Sequence, residues 1–174
     1  MIFLSTKETD RIENEAEQLL ESVFGDMRSV ELPVNLNAVL NHLDLSLKEG
    51  SFEDSTITAA LDRAHKTIFV SSEEDSQGKY FSIAHEIGHF HLHDHIEMDV
   101  FYRNQMSSLI DEEDADEAAA SRFAASLLMP EQLINELWDV LDEVDKMSKI
   151  FAVSPTMMRH RLKQLDLIRG GRHG

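Results

Sequence analysis

The chain has 174 residues, 16 Lys and Arg against 33 Asp and Glu, a formal net charge of −17 and no cysteine. That length suits one compact unit with a real core, so residues 1–174 are expected to form a single domain. The missing cysteines exclude disulfides and thiolate metal sites, and the acidic balance argues against direct nucleic-acid binding, because phosphates would be repelled. No run of about 18 apolar residues exists, and the first residues lack the basic and apolar regions of a signal peptide. The expectation is a cytoplasmic protein with no membrane partner.

In chain order, residues 1–30 read as an N-terminal helical segment. Ile12, Ala16, Leu19, Leu20 and Val23 recur at helical spacing and stop at Gly25, a natural C-terminal cap. Pro33 and Asn35 open a short helix through Leu40, after which Leu43, Leu45 and Leu47 alternate as a strand. Residues 57–61 and 67–70 read as two more strands, and polar Asp62, Arg63, His65 and Lys66 between them suit a hairpin turn. A small antiparallel sheet is expected. Residues 71–77 are a polar loop. Phe81, Ala84, Ile87 and Leu92 then give a buried helical stripe with Gly78 as its plausible start. Residues 96–110 are irregular in pattern, with Tyr102 and Arg103 as candidate cleft residues. An acidic helix follows over 111–124, carrying a small-residue stripe of Ala120, Ala124 and Leu128. Pro130 restarts a helix whose apolar face is Leu133, Leu137, Trp138 and Leu141. Residues 144–168 read as helix, tight turn, helix, the outline of a helix-turn-helix. A groove-binding role would use Arg159, His160, Arg161 and Lys163. Pro155 at a first helical position, with Leu162, Leu165 and Leu167 at core spacing, is explained by packing alone.

The chemistry concentrates in His85-Glu86-Ile87-Gly88-His89. Residues four apart on a helix are offset by only about 40° around the axis, so both imidazoles can address one ion. Zinc held by two imidazoles and a carboxylate keeps a position for water, and Glu86, one step round the helix, can take that water's proton. Glu86 is thus read as base, and His85 and His89 as ligands. The third ligand has several candidates. His93 lies about 12 Å along a straight helix from His85, too far to share the ion. His95 has the spacing of a third histidine ligand, but the glycine needed for the chain to turn is replaced by Leu92. Glu117, on the small-residue stripe that would face the metal helix, is the best carboxylate, with Glu113 one turn earlier still open.

Residues 81–93, F-S-I-A-H-E-I-G-H-F-H-L-H, followed by E-A-A-A-S-R-F-A-A-S-L-L-M-P at 117–130, resemble the ImmA/IrrE family of bacterial zinc metallopeptidases. The tail is similar too, at Phe151, Val153, Ser154, Arg161 and Leu162, so the resemblance covers about residues 30 to 168. It implies an α+β zincin-like fold with a gluzincin-like site, zinc as cofactor, and Glu117 as third ligand beside His85 and His89. It also implies a substrate class, helix-turn-helix transcriptional repressors, whose cleavage relieves repression of mobile-element, phage or stress-response genes. Two positions depart from the family pattern. Ser121 stands where Asn is usual, though one turn from Glu117 it can still hydrogen-bond a ligand. Tyr80, preceded by Lys79, stands where a basic residue is usual. Tyr102, Arg103 and His160 are candidates, by residue type, for stabilising an oxyanion. Two other classes of function compete: a non-catalytic, antitoxin-like binding protein of the same fold, and a helix-turn-helix DNA-binding regulator. Both leave the His85–Glu86–His89 spacing without a purpose.

Overall fold

The computed structural model describes residues 4–102 and 114–168. Seven α-helices and one four-stranded sheet lie among them. Helix α1, Thr6–Phe24, starts in a reciprocal cap: the Ser5 hydroxyl accepts from the Glu8 amide, and the Glu8 carboxylate accepts from the Ser5 amide. It ends at Gly25, whose φ of 95° is open to glycine at no steric cost. Its buried face is Ile12, Ala16, Leu19 and Leu20, the stripe expected from spacing. A 3₁₀ turn at Met27–Ser29 leads to α2, Leu36–His42, capped by Asn35.

Strands β1 (Ser46–Gly50), β2 (Ile57–Asp62), β3 (Thr67–Ser71) and β4 (Met98–Tyr102) form a sheet of order β1-β3-β2-β4. The β2–β3 hairpin and the β2–β4 pair are antiparallel, whereas β1 runs parallel to β3. The sheet is therefore mixed, where hairpin reasoning expected an antiparallel one. The chain leaves β1 and reaches β3 by way of β2, so a strand paired across that crossover points the same way. The segment around β4 was read as irregular and is in fact an edge strand.

Helix α3, Ser76–Leu92, carries the paired histidines. It begins two residues before the glycine read as its start, because the Asp75 carboxylate caps it by accepting from the Gly78 amide at 2.8 Å. Its C-terminus is fastened by Arg63, which donates to the carbonyls of His89 (2.8 Å), His93 (2.6 Å) and Ile96 (2.6 Å) and lies over the Phe90 ring. Carbonyls that a helix end leaves without partners are thereby satisfied from the β2–β3 turn.

Helix α4, Ala115–Leu128, crosses α3 at close range. A Cβ on Gly88 would stand 2.9 Å from the Ala120 carbonyl oxygen and 3.1 Å from its Cα, so only glycine permits this approach. Helices α5 (Glu131–Leu141), α6 (Val144–Ile150) and α7 (Pro155–Gln164) close the described chain, with α6 and α7 joined by a short turn. Arg161 is not available to a DNA groove. It is fully buried and forks onto Glu13 of α1 at 2.5 and 2.8 Å, while its Nε donates to the Met129 carbonyl. Arg122 of α4 donates to the same Glu13 carboxylate at 2.8 Å. One buried carboxylate thus ties α1, α4 and α7 together. No helix among the described residues is long and apolar enough to cross a membrane.

Candidate metal centre

The crossing of α3 and α4 against β4 brings four side chains to one point. Ligand atoms of His85, His89, Asp99 and Glu117 all lie within 4.8 Å of one another. The two Nε2 atoms are 3.0 Å apart, and the Glu117 carboxylate reaches His85 Nε2 at 3.3 Å and His89 Nε2 at 3.1 Å. Both imidazoles are fully buried. Periodicity accounts for this arrangement: His85 and His89 share one helical face, and Glu117 sits in the first turn of α4 on the face that meets Gly88. The absence of a Cβ at Gly88 sets the separation that lets a carboxylate from α4 reach imidazoles on α3.

The rings are held from behind. The Ser121 hydroxyl lies 3.2 Å from His85 Nδ1, so with Nε2 turned into the cluster the Nδ1–H donates to serine. This is the contact the sequence allowed for Ser121 in place of asparagine. The Phe101 ring stacks on His85 at a centroid distance of 4.0 Å. His89 Nδ1 faces His93 Nδ1 at 3.2 Å. His93 therefore backs a member of the cluster and does not join it, in keeping with its position two turns from His85. His95 is directed elsewhere as well, pairing with Asp116 at 2.8 Å.

Glu86 is fully buried, and neither of its carboxylate oxygens has a hydrogen-bond partner among the described residues. Burial, and then the negative charges of Asp99 and Glu117, push its pKa well above the ordinary carboxyl range. Burial also raises Asp99, against the pull of His89 and with Glu117 adding to the rise. Glu117 goes the other way. Burial alone would raise it, but hydrogen bonding and charge from His85 and His89 hold it well below the usual range. Burial pushes His85 down to about 4 against the pull of Glu117. For His89 the burial penalty is outweighed by Glu117 and Asp99, so its pKa rises.

Two imidazole nitrogens and the carboxylates of Asp99 and Glu117 converging on one point suit a divalent cation, and zinc in particular accepts His and carboxylate donors. The orphaned oxygens of Glu86 and Asp99 Oδ2 point to the same conclusion, because buried polar atoms left unpaired by folding are rare. Asp99 was not singled out in the sequence. Its strand lies in the segment with no clear alternation, where an inward-facing acid imitates a loop.

Of the other candidates, the described Tyr102 and His160 are not in the cluster. Glu113 and Arg103 lie beyond the described residues. Tyr102 ends β4, half-exposed. His160 on α7 contacts Gln164 and feels the charges of Arg122 and Arg161, which places it beside the buried Glu13 group.

An α+β fold with two histidines of one helix and a glutamate of the next around a possible metal position defines a metallopeptidase-like protein. Residues 35–163 match the M78 peptidase family, described as the IrrE N-terminal-like domain, and the chain belongs to that family. Among solved structures the chain is similar to a Mycobacterium tuberculosis transcriptional regulator, with a TM-score of 0.64 and 16% identity over 88% of this chain. The similarity spans 46% of that regulator, and at this identity it speaks for the fold. No curated protein gives a match.

Proposed function

We propose that the protein is a zinc-dependent endopeptidase that cuts one bond in the linker or C-terminal region of a helix-turn-helix transcriptional repressor and so relieves repression. The observation that carries the hydrolytic reading is Glu86: a fully buried carboxylate, orphaned at both oxygens, beside the His85, His89 and Glu117 donors. A helix in an ordinary core gains nothing from such a residue, whereas a hydrolase needs a proton acceptor held in this place.

His85, His89 and Glu117 would hold the ion. Zinc bound by such donors supplies Lewis acidity, polarising a carbonyl and bringing the pKa of its water towards ~7. Glu86, buried beside the ligand set, accepts the proton of the attacking water and passes it to the leaving amine. Ser121 and His93 fix the ring orientations on which this depends. Strand β4 pairs with β2 on one side only among the described strands, and its other edge offers main-chain groups to an extended peptide beside the cluster. Such an edge takes an accessible linker and refuses a folded domain. The net charge of −17 favours a protein substrate over nucleic acid, and a cytoplasmic setting with no membrane contact suits a repressor as target.

The test is incubation of the zinc-loaded protein with the helix-turn-helix repressor encoded beside it, with fragments read by mass spectrometry. One discrete cut, absent with Glu86→Gln, is expected. Scattered cuts would indicate a general protease. A stable complex with no cut would indicate a regulator that acts by binding alone.

A further inference from the structure

Asp99 is not among the three residues named to hold the ion, yet it is built into the same point. It lies on the inward side of β4 together with Phe101, as strand alternation requires, and its Oδ2 stands 3.5 Å from His89 Nε2 with no hydrogen-bond partner among the described residues. His89 cannot satisfy it. That single Nε2 is also approached by His85 Nε2 at 3.0 Å and Glu117 Oε1 at 3.1 Å, and an imidazole nitrogen carries at most one proton. One cation at the convergence would serve every donor at once.

The spacing supports this. Four donors placed tetrahedrally at zinc's usual bond lengths of about 2.0–2.2 Å stand about 3.3 Å apart. Here the two Nε2 atoms stand 3.0 Å apart, Glu117 reaches the rings at 3.1 and 3.3 Å through its two different oxygens, Asp99 Oδ2 lies 3.5 Å from His89 Nε2, and ligand atoms of all four residues lie within 4.8 Å of one another. A catalytic site needs three protein donors and a free position, while four protein donors make the closed arrangement of a structural site.

Resting on the zinc reading just given, we infer that Asp99 is a fourth protein ligand, which occupies the position the reactive water needs and holds the peptidase shut while β4 is seated. Activity requires exchange of that carboxylate for water, and β4 is placed to allow it. It is an edge strand held by one ladder, and that ladder carries a register irregularity opposite Ile57 and Ala59.

The experiment uses the full chain, wild type and Asp99→Asn. Zinc affinity is measured by chelator competition, and the cobalt-substituted proteins are titrated with acetohydroxamate while the visible absorption is followed. Asp99→Asn is expected to weaken zinc at least about tenfold, to change the cobalt spectrum, and to take up acetohydroxamate at least about tenfold more readily than wild type. X-ray absorption of the wild-type zinc protein, which depends on no variant, is expected to show a first shell made of protein donors alone. A water in that shell, or equal zinc affinity and identical cobalt titrations for the two proteins, overturns the closure and leaves the zinc site standing. Failure of the wild type to bind zinc overturns both.

Discussion

Two buried polar clusters share helix α4, one through Arg122 and the other through Glu117, and they are built on opposite terms. Around Glu13, two arginines and a carboxylate are fully matched: Arg161 forks onto both oxygens and Arg122 adds a further bond, so the carboxylate is charged and satisfied. Around Glu86, three carboxylates crowd two imidazoles, and oxygens of Glu86 and Asp99 have no hydrogen-bond partner among the described residues. The first cluster is complete as folded and holds three helices together. The second gathers donors that could hold a metal ion. Satisfaction separates a structural charge from a functional one more surely than burial does, since both groups are out of water.

The largest effect on stability is expected at the matched cluster. Glu13→Ala leaves the fully buried Arg161 without its carboxylate and should cost about 3–5 kcal/mol in denaturant unfolding. Zinc content of the folded fraction should not change. A loss under about 1 kcal/mol would mean that the arginines find other partners, and the comparison would lose its structural half.

At the other cluster the loss should fall on metal affinity. Glu117→Ala removes a donor and should lower zinc affinity by more than the roughly 10–100-fold expected for a residue that merely backs a ligand. His95→Ala, whose ring pairs with Asp116, should leave it unchanged. Loss in the His95 variant with retention in the Glu117 variant would reassign the third ligand. Gly88→Ala lies between the two kinds of effect. Its methyl would press on the Ala120 backbone, so the helices must part, at a cost of about 1–3 kcal/mol with weakened zinc binding besides.

The smallest effect is on pH dependence of the metal-free protein, and its sign differs between the clusters. The folded pKa of Glu13 is depressed: burial works against ionisation, but Arg161 and Arg122 outweigh it. Its contribution is therefore present above the unfolded value near 4.5 and lost as pH falls through the folded value. For Glu86 the folded pKa is raised, so its charge opposes folding as pH climbs above that same unfolded value. At neutral pH the metal-free Glu86→Gln protein should melt above wild type, and Glu13→Gln below it. Equal melting temperatures for wild type and Glu86→Gln would show that Glu86 is not strained.

What could be read from the chain follows the range of the interactions. The helix of His85 and His89, the carboxylate at Glu117 and the support from Ser121 rest on spacings within a few residues of one helix, and periodicity exposes them. The Glu13 group could not be seen this way, because its partners are 109 and 148 residues distant and nothing local marks them. Arg63 looked like a hairpin-turn residue and is instead the fastening of the metal helix, a role set by partners 26 to 33 residues on. Asp99 escaped for a different reason. Its strand turns an acid and a phenylalanine inward, so the alternation that normally betrays a strand is broken by the very residue that joins the site.

The most direct test of the central claim, that the unsatisfied cluster is a hydrolytic metal centre, is Glu86→Gln measured for zinc content and repressor cleavage on one preparation. The variant and the wild type should each hold about one equivalent of zinc, because Glu86 is not expected to be a ligand. Its cleavage should fall by about 10²–10⁴-fold through loss of the proton acceptor. A Glu86→Gln protein that holds zinc and cuts the repressor at the wild-type rate would contradict the account.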